Sequence, residues 1–246
     1  MTREAGYAGP ETPAVTRVGQ ADWPALRAVL EAEGAAILPG LLDQRTCAEL
    51  AALYGDSPAF RSHVVMGRHG FGRGEYRYFA YPLPPVVQAL RTAFYPRLVP
   101  IANDWHARLG LPERFPEAHA DFLAQCRQGG QTRPTPLLLR YGPGDYNCLH
   151  QDLYGAHVFP IQAAILLSAP GSDFTGGEFV LTEQRPRMQS RVQVVPLRQG
   201  DAVLFAVNHR PQQGVRGDYR VAIRHGVSPV RSGARHVLGI IFHDAA

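Results

Sequence analysis

The stretch Tyr141-Gly-Pro-Gly-Asp-Tyr-Asn-Cys-Leu-His-Gln-Asp152 decides how this chain is read. A short apolar run, Leu137–Leu139, precedes it, and a Pro-Gly turn inside it stands before His150 and Asp152. In an extended segment, side chains two positions apart point to the same side. His150 and Asp152 therefore offer an imidazole and a carboxylate to one small volume. A His-x-Asp pair alone is common. The later run His225-Gly-Val-Ser-Pro-Val-Arg-Ser-Gly-Ala-Arg235 adds a second imidazole and, ten residues on, a guanidinium at the start of another apolar strand.

Outward from this stretch, the chain after Gln131 alternates short apolar runs with turns. The runs are Leu137–Leu139, Gln162–Ser168, Glu178–Thr182, Val192–Val195, Ala202–Val207, Tyr219–Ile223 and Val237–Phe242. Strands bounded by Pro, Gly or Asp, with no helical spacing between them, indicate a sandwich or jelly roll. The preceding residues read differently. Residues 1–15 form a loose tail, rich in Gly, Pro and Thr. Residues 16–130 are an extension with helical character: Asp22 caps a helix over Trp23–Glu33, Gly34–Gly40 is a short strand and turn, and Asp43 caps a helix reaching about Tyr54. Two or three more helices fit residues 84–128. The expected fold is mainly β, with a helical N-terminal part and a core over 131–246.

Two His and one carboxylate on one face of a metal, with the other positions open, form the ligand set of non-haem Fe(II) oxygenases. With Arg235 added, the chain resembles the Fe(II)- and 2-oxoglutarate-dependent dioxygenases from about Leu137 to its end. The resemblance implies a double-stranded β-helix, the jelly roll of that superfamily, flanked by helices. It implies that His150, Asp152 and His225 hold Fe(II), and that Arg235 holds the far carboxylate of 2-oxoglutarate. Tyr141 takes the place of a Tyr that hydrogen-bonds the cosubstrate, with Tyr146 as the alternative. The implied reaction consumes O2 and 2-oxoglutarate, hydroxylates a C–H bond and releases succinate and CO2. The His225–Arg235 spacing is similar to that of prolyl hydroxylases. The run Gly176–Arg191 and the ending Leu238–Asp244 resemble a bacterial branch proposed to oxidise damaged or alkylated nucleic acid. That reading implies DNA or RNA as partner and oxidative demethylation as outcome. The alternatives are a hydroxylase of protein side chains or small molecules and, outside catalysis, a metal-binding jelly-roll sensor.

Residues 60–82 interleave Arg61, His63, Arg68, His69, Arg73 and Arg77 with glycines and with Phe71, Tyr76, Tyr78 and Phe79. Such a segment reads either as a mobile lid whose Arg and aromatics meet phosphates and bases, or as a hairpin whose aromatics pack on the core. Arg73, Tyr76 and Tyr78 are its candidate substrate residues. His209 is a fourth candidate. It competes with His225, since Arg220 follows it by eleven positions, but its neighbours Arg210-Pro211 suggest a loop at the substrate entrance. Cys148, two residues before His150, reads as packing. His157, His236 and His243 read as structural or exposed.

Every one of the 25 basic residues is Arg, and the net charge is +4. The distribution says more than the total: residues 185–235 carry ten Arg against Asp201 and Asp218, a local excess of eight. That asymmetry suits an anionic partner and equally suits Arg on solvated strand faces. No apolar run approaches the ~18 residues needed to span a bilayer, so no membrane role is expected. Three widely spaced cysteines and a start without an apolar signal region point to a reducing, cytoplasmic setting.

Overall fold

A computed structural model of the chain describes residues 12–55 and 58–246. The expected tail lies outside the described residues up to position 11, and from Pro13 the chain is already helical. Helix α1 (Pro13–Gln20) is capped by the Thr12 hydroxyl, which accepts from the Val15 amide. Helix α2 (Trp23–Glu33) is capped by Asp22, which accepts from the Ala25 amide at 3.0 Å. After β1 (Ala35–Leu38), Asp43 accepts from the Thr46 amide at 2.8 Å and opens α3 (Gln44–Ala52). Each such cap is worth about 1 kcal/mol, because it satisfies an amide the helix leaves without a partner.

Residues 60–79 form a hairpin, the second of the two readings of this segment. Strands β2 (Phe60–Val65) and β4 (Glu75–Phe79) pair antiparallel, and the connection between them carries a single 3-10 turn and β3 (Gly72–Arg73). Two helices follow, α4 (Pro85–Arg108) and α5 (His119–Gln128). The remaining strands are β5 (Leu137–Tyr141), β6 (Tyr146–His150), β7 (Ile161–Leu166), β8 (Phe174–Gly176), β9 (Phe179–Gln184), β10 (Arg191–Val195), β11 (Ala202–Ala206), β12 (His209–Gly214), β13 (Gly217–Val227), β14 (Val230–Gly233) and β15 (Arg235–Ile240).

Two antiparallel sheets face each other. The larger has the order β1-β11-β7-β15-β5-β4-β2 and the smaller β10-β9-β13-β6-β3, with β12 on β13. This is the expected jelly roll. The change of pattern at residue 130 does not divide the sheet, because β1, β2 and β4 from the first half complete it. The segment read as a loop at Arg210-Pro211 is β12. A Pro is tolerated there because β12 lies at the edge of the sheet and Pro211 has a strand on one side only.

The helices are tied to the chain's end by aromatic packing. Tyr95 and Phe122 stack at 5.6 Å, and Phe159 meets Phe242 at 5.4 Å. Within this layer Arg91 of α4 is fully buried. It donates to the carbonyls of Ile241 and His243 and pairs with Asp244 at 2.8 Å. The clamp fixes the segment after β15, the strand whose other end carries Arg235.

Candidate metal centre and its cavity

In the smaller sheet, β13 and β6 lie side by side with His225 paired opposite His150. The ring centroids are 4.2 Å apart. Asp152, two residues past His150, brings its carboxylate to both: Oδ1 is 3.4 Å from His150 Nε2 and Oδ2 is 3.4 Å from His225 Nε2. One ligand atom from each of the three lies within 4.8 Å of the others.

Local contacts hold this geometry. His150 Nδ1–H donates to the Cys148 carbonyl at 2.7 Å, which leaves the Nε2 lone pair facing the carboxylate. Phe205 packs against the His225 ring at 4.6 Å and Phe179 at 6.1 Å. The Tyr154 hydroxyl donates to Asp152 Oδ1 at 2.8 Å. Burial pushes the Asp152 carboxyl up, but the two imidazoles facing it outweigh that and hold the group well below the usual carboxylate range. At His150, burial pulls the imidazole down and Asp152 outweighs it, so the net direction is up. At His225 burial wins, and the imidazole is held below its ordinary value. An ionised carboxylate facing two imidazole nitrogens fits a divalent cation, and this donor set suits Fe(II).

A cavity of about 320 Å³ lies between the sheets at this triad. One of its ends is charged. Arg235 and Tyr141 are paired across β15 and β5, and the guanidinium carbon lies 5.5 Å from the Tyr141 ring and 5.9 Å from the Phe174 ring. Arg235 is 2% exposed, and its Nε and Nη1 have no hydrogen-bond partner. Burial pulls it down to about 10, so it stays charged at neutral pH. A buried cation without a counter-ion is strongly unfavourable, and one carboxylate of 2-oxoglutarate fits the unused donors. Gly177, at φ +62°, leaves the room: a Cβ there would lie 2.9 Å from Arg235 Cδ. Tyr141 is buried and its phenol is raised by burial, so it remains a neutral hydroxyl.

The cavity thus gathers His150, Asp152, His225, Arg235 and Tyr141 with Tyr76 and Tyr78 of β4. It does not include Arg73 or His209. The Arg73 guanidinium is exposed and lies 3.6 Å from Asp145, whereas His209 borders a separate hollow beside Trp105, His106 and Arg220. Tyr146 is exposed and outside the cavity. Cys148 is also exposed, and it lines the cavity instead of packing in the core. His243 is fully buried, accepting at Nδ1 from the Phe159 amide. The basic segment divides: Arg210 is fully buried and pairs with Glu183 at 2.6 Å, while Arg224, next to His225 on β13, points by alternation to the opposite face. Sequence reasoning missed Tyr154 and Gln162, both of which line the cavity. The available signals were slight: Tyr154 continues the two-residue spacing of His150 and Asp152, and Gln162 interrupts an apolar strand.

The model of the Oxygenase-NA family, described as oxygenases catalysing oxidative methylation of damaged DNA, matches residues 74–245. Two uncharacterized proteins of Mycobacterium tuberculosis, one from each of two strains, are 51% identical over 168 residues, covering 68% of this chain and 72% of theirs. Among solved structures, an oxidoreductase of the 2OG-Fe(II) oxygenase family from Burkholderia pseudomallei superposes with a TM-score of 0.55 at 18% identity, over 92% of this chain and 94% of its own. A prolyl hydroxylase from Trichoplax adhaerens, in complex with a hypoxia inducible factor peptide, gives 0.54 at 14% identity, over 91% and 89%. At these identities the likeness to the solved structures is one of fold. Among the described residues, no helix is long and apolar enough to cross a membrane.

Proposed function

The chain belongs to the Oxygenase-NA family, and on that premise we propose that its substrate is an alkylated base of DNA or RNA, unstacked and inserted into the cavity beside the metal centre. The protein is an Fe(II)- and 2-oxoglutarate-dependent dioxygenase. In our reading His150, Asp152 and His225 hold the iron, while Arg235 and Tyr141 hold 2-oxoglutarate. When bound, iron and 2-oxoglutarate supply the oxidation of a C–H bond by O2, with succinate and CO2 as co-products.

The chain's own residues prepare the site for that chemistry. Tyr154 holds the Asp152 carboxylate in place through Oδ1, and the Cys148 carbonyl selects the His150 tautomer. Arg235 brings a permanent charge and a fixed fork of donors to the cosubstrate end. Leu137, Leu139 and Val237 keep the cavity wall apolar and exclude water. Oxidation at an N-methyl carbon gives N–CH2OH, which breaks down to the free amine and formaldehyde, so the methyl group is removed.

The observation that carries the nucleic-acid reading is the mouth of the cavity. Phe71 lines it while 49% exposed, stacked on His69 at 5.3 Å, and Leu149, which also lines it, is exposed. Exposed rings at the entrance of a cavity give an extruded base a stacking surface. Arg68 and Arg73, exposed on the same connection, can meet the flanking phosphates. The cytoplasm, where free Cys47, Cys126 and Cys148 stay reduced, is the setting we expect. The test is formaldehyde release from N-methylated single-stranded DNA with Fe(II) and 2-oxoglutarate. Phe71→Ala should lower kcat/KM by about tenfold or more, the scale of one base–aromatic stack. Release with no effect of Phe71→Ala would remove the stacking role, and no release would remove the substrate.

A further inference from the structure

Gln162 is a polar residue inside an otherwise apolar strand. It lies on β7, lines the cavity and is 3% exposed, and its amide nitrogen has no hydrogen-bond partner. A buried N–H without a partner is unfavourable, and few are left so in native proteins unless something else satisfies them. A molecule entering the cavity can supply the missing acceptor.

Strand register says which ligand. Gln162 pairs with Phe205, whose ring packs on His225, so the amide stands close to the metal centre. Along β15 and β7, Val237 faces Leu166 and Ile240 faces Ala163. Gln162 therefore lies at the far end of β15 from Arg235, six residues along, which is roughly 20 Å at the rise of an extended strand. A five-carbon diacid held by Arg235 spans only part of that backbone separation. The amide is left for the primary substrate, on the side of the cavity where Tyr78 and Tyr154 supply flat walls.

We propose that Gln162 reads the edge of the base that enters the cavity. Its Nε2–H donates to a ring nitrogen, and its Oε1 accepts from the neighbouring exocyclic amine. Adenine presents this pair at N7 and N6, the edge that a Gln or Asn amide recognises in a bidentate manner. That edge stays intact when N1 carries an alkyl group. In cytosine the only ring nitrogen beside the amine is N3, and alkylation there removes the acceptor. The ligand class is thus N1-alkylated adenine ahead of N3-alkylated cytosine. This rests on the nucleic-acid reading above and adds base identity to it.

The experiment uses the Fe(II)- and 2-oxoglutarate-loaded protein with single strands carrying one 1-methyladenine, one 1-methyl-7-deazaadenine or one 3-methylcytosine. Formaldehyde release gives kcat/KM for each, in wild type and in Gln162→Leu. The expected result is a wild-type preference for 1-methyladenine over both others on the order of tenfold or more, lost in Gln162→Leu. The deaza probe removes the acceptor from the substrate, so the test holds even where the variant folds poorly. Equal rates for 1-methyladenine and its deaza form in wild type, or a preference that persists in Gln162→Leu, would overturn the role of Gln162 and leave the nucleic-acid reading standing. Succinate formation without formaldehyde from any of the strands would overturn both.

Discussion

His150 and His225 sit directly opposite each other on neighbouring antiparallel strands, their rings 4.2 Å apart, although most of the jelly roll lies between them in sequence. The pairing of β13 with β6 is therefore what brings the candidate metal ligands together. A bulge between His225 and Val227 shifts the register just past the ligand. Because side chains alternate faces along a strand, a slip of one residue would turn His225 away from Asp152. The following outcomes are expected from this arrangement.

Tyr154 holds Asp152 through Oδ1 and is not one of the three grouped candidate ligands. Tyr154→Phe removes the hydrogen bond to Oδ1 and keeps the ring. The dissociation constant for Fe(II), or for Co(II) as a spectroscopic substitute, should rise about tenfold or more, with thermal stability little changed. Unchanged metal affinity would mean that the carboxylate is held by other contacts.

Among the described residues, Arg235 is the one arginine lining the cavity. Arg235→Met should weaken 2-oxoglutarate binding about 30-fold or more, as expected for loss of a buried charged partner. Arg235→Lys should restore little, because a point charge does not replace the planar fork. Gly177→Ala should act in the same direction, since the added methyl meets both Arg235 and Val230 at a left-handed backbone position. Titration of 2-oxoglutarate into the metal-loaded protein measures all three.

Acid stability has a defined sign. His119 and His243 are buried, and burial pulls both imidazoles down to about 3, against about 6.5 in the unfolded chain. Between these values the unfolded state binds more protons, so stability is full above about pH 6.5 and falls as pH drops toward 3. Each histidine should contribute a slope near 1.4 kcal/mol per pH unit in that window. Denaturant unfolding at several pH values checks this, and His243→Gln should shallow the slope.

The Arg91–Asp244 clamp is a matter of stability, not chemistry. Arg91→Met strands a buried carboxylate and should cost about 3–5 kcal/mol, a fall of roughly 10 °C in Tm for a chain of this size. Adding Asp244→Leu should recover a large part of the loss, because removing both charges leaves neither unpaired. A double variant as unstable as the single one would show that the contacts are not specifically ionic.

The sequence carried the local parts of this site well. His150 and Asp152 are two residues apart on one strand end, and Asp22 and Asp43 cap the helices they were expected to cap. What it did not carry was set by long-range pairing. Residues 60–79 left a lid and a hairpin as alternatives, and the choice came from β4 pairing with both β2 and β5. Pro211 masked β12, since an edge strand tolerates what an inner one does not. His209 and His225 have nearly the same spacing to a following Arg, and only the sheet register sends one to the cavity and the other elsewhere. Tyr154 and Gln162 were easily passed over for a related reason: a lone Tyr or Gln acquires meaning only from what stands opposite it.

The most direct test of the account is succinate formation from 2-oxoglutarate by the Fe(II)-loaded protein, with and without methylated single-stranded DNA, in wild type, His225→Ala and His209→Ala. The account predicts turnover stimulated by the methylated strand, abolished in His225→Ala and retained in His209→Ala. Turnover that survives in His225→Ala would contradict the assignment of the metal centre to His150, Asp152 and His225.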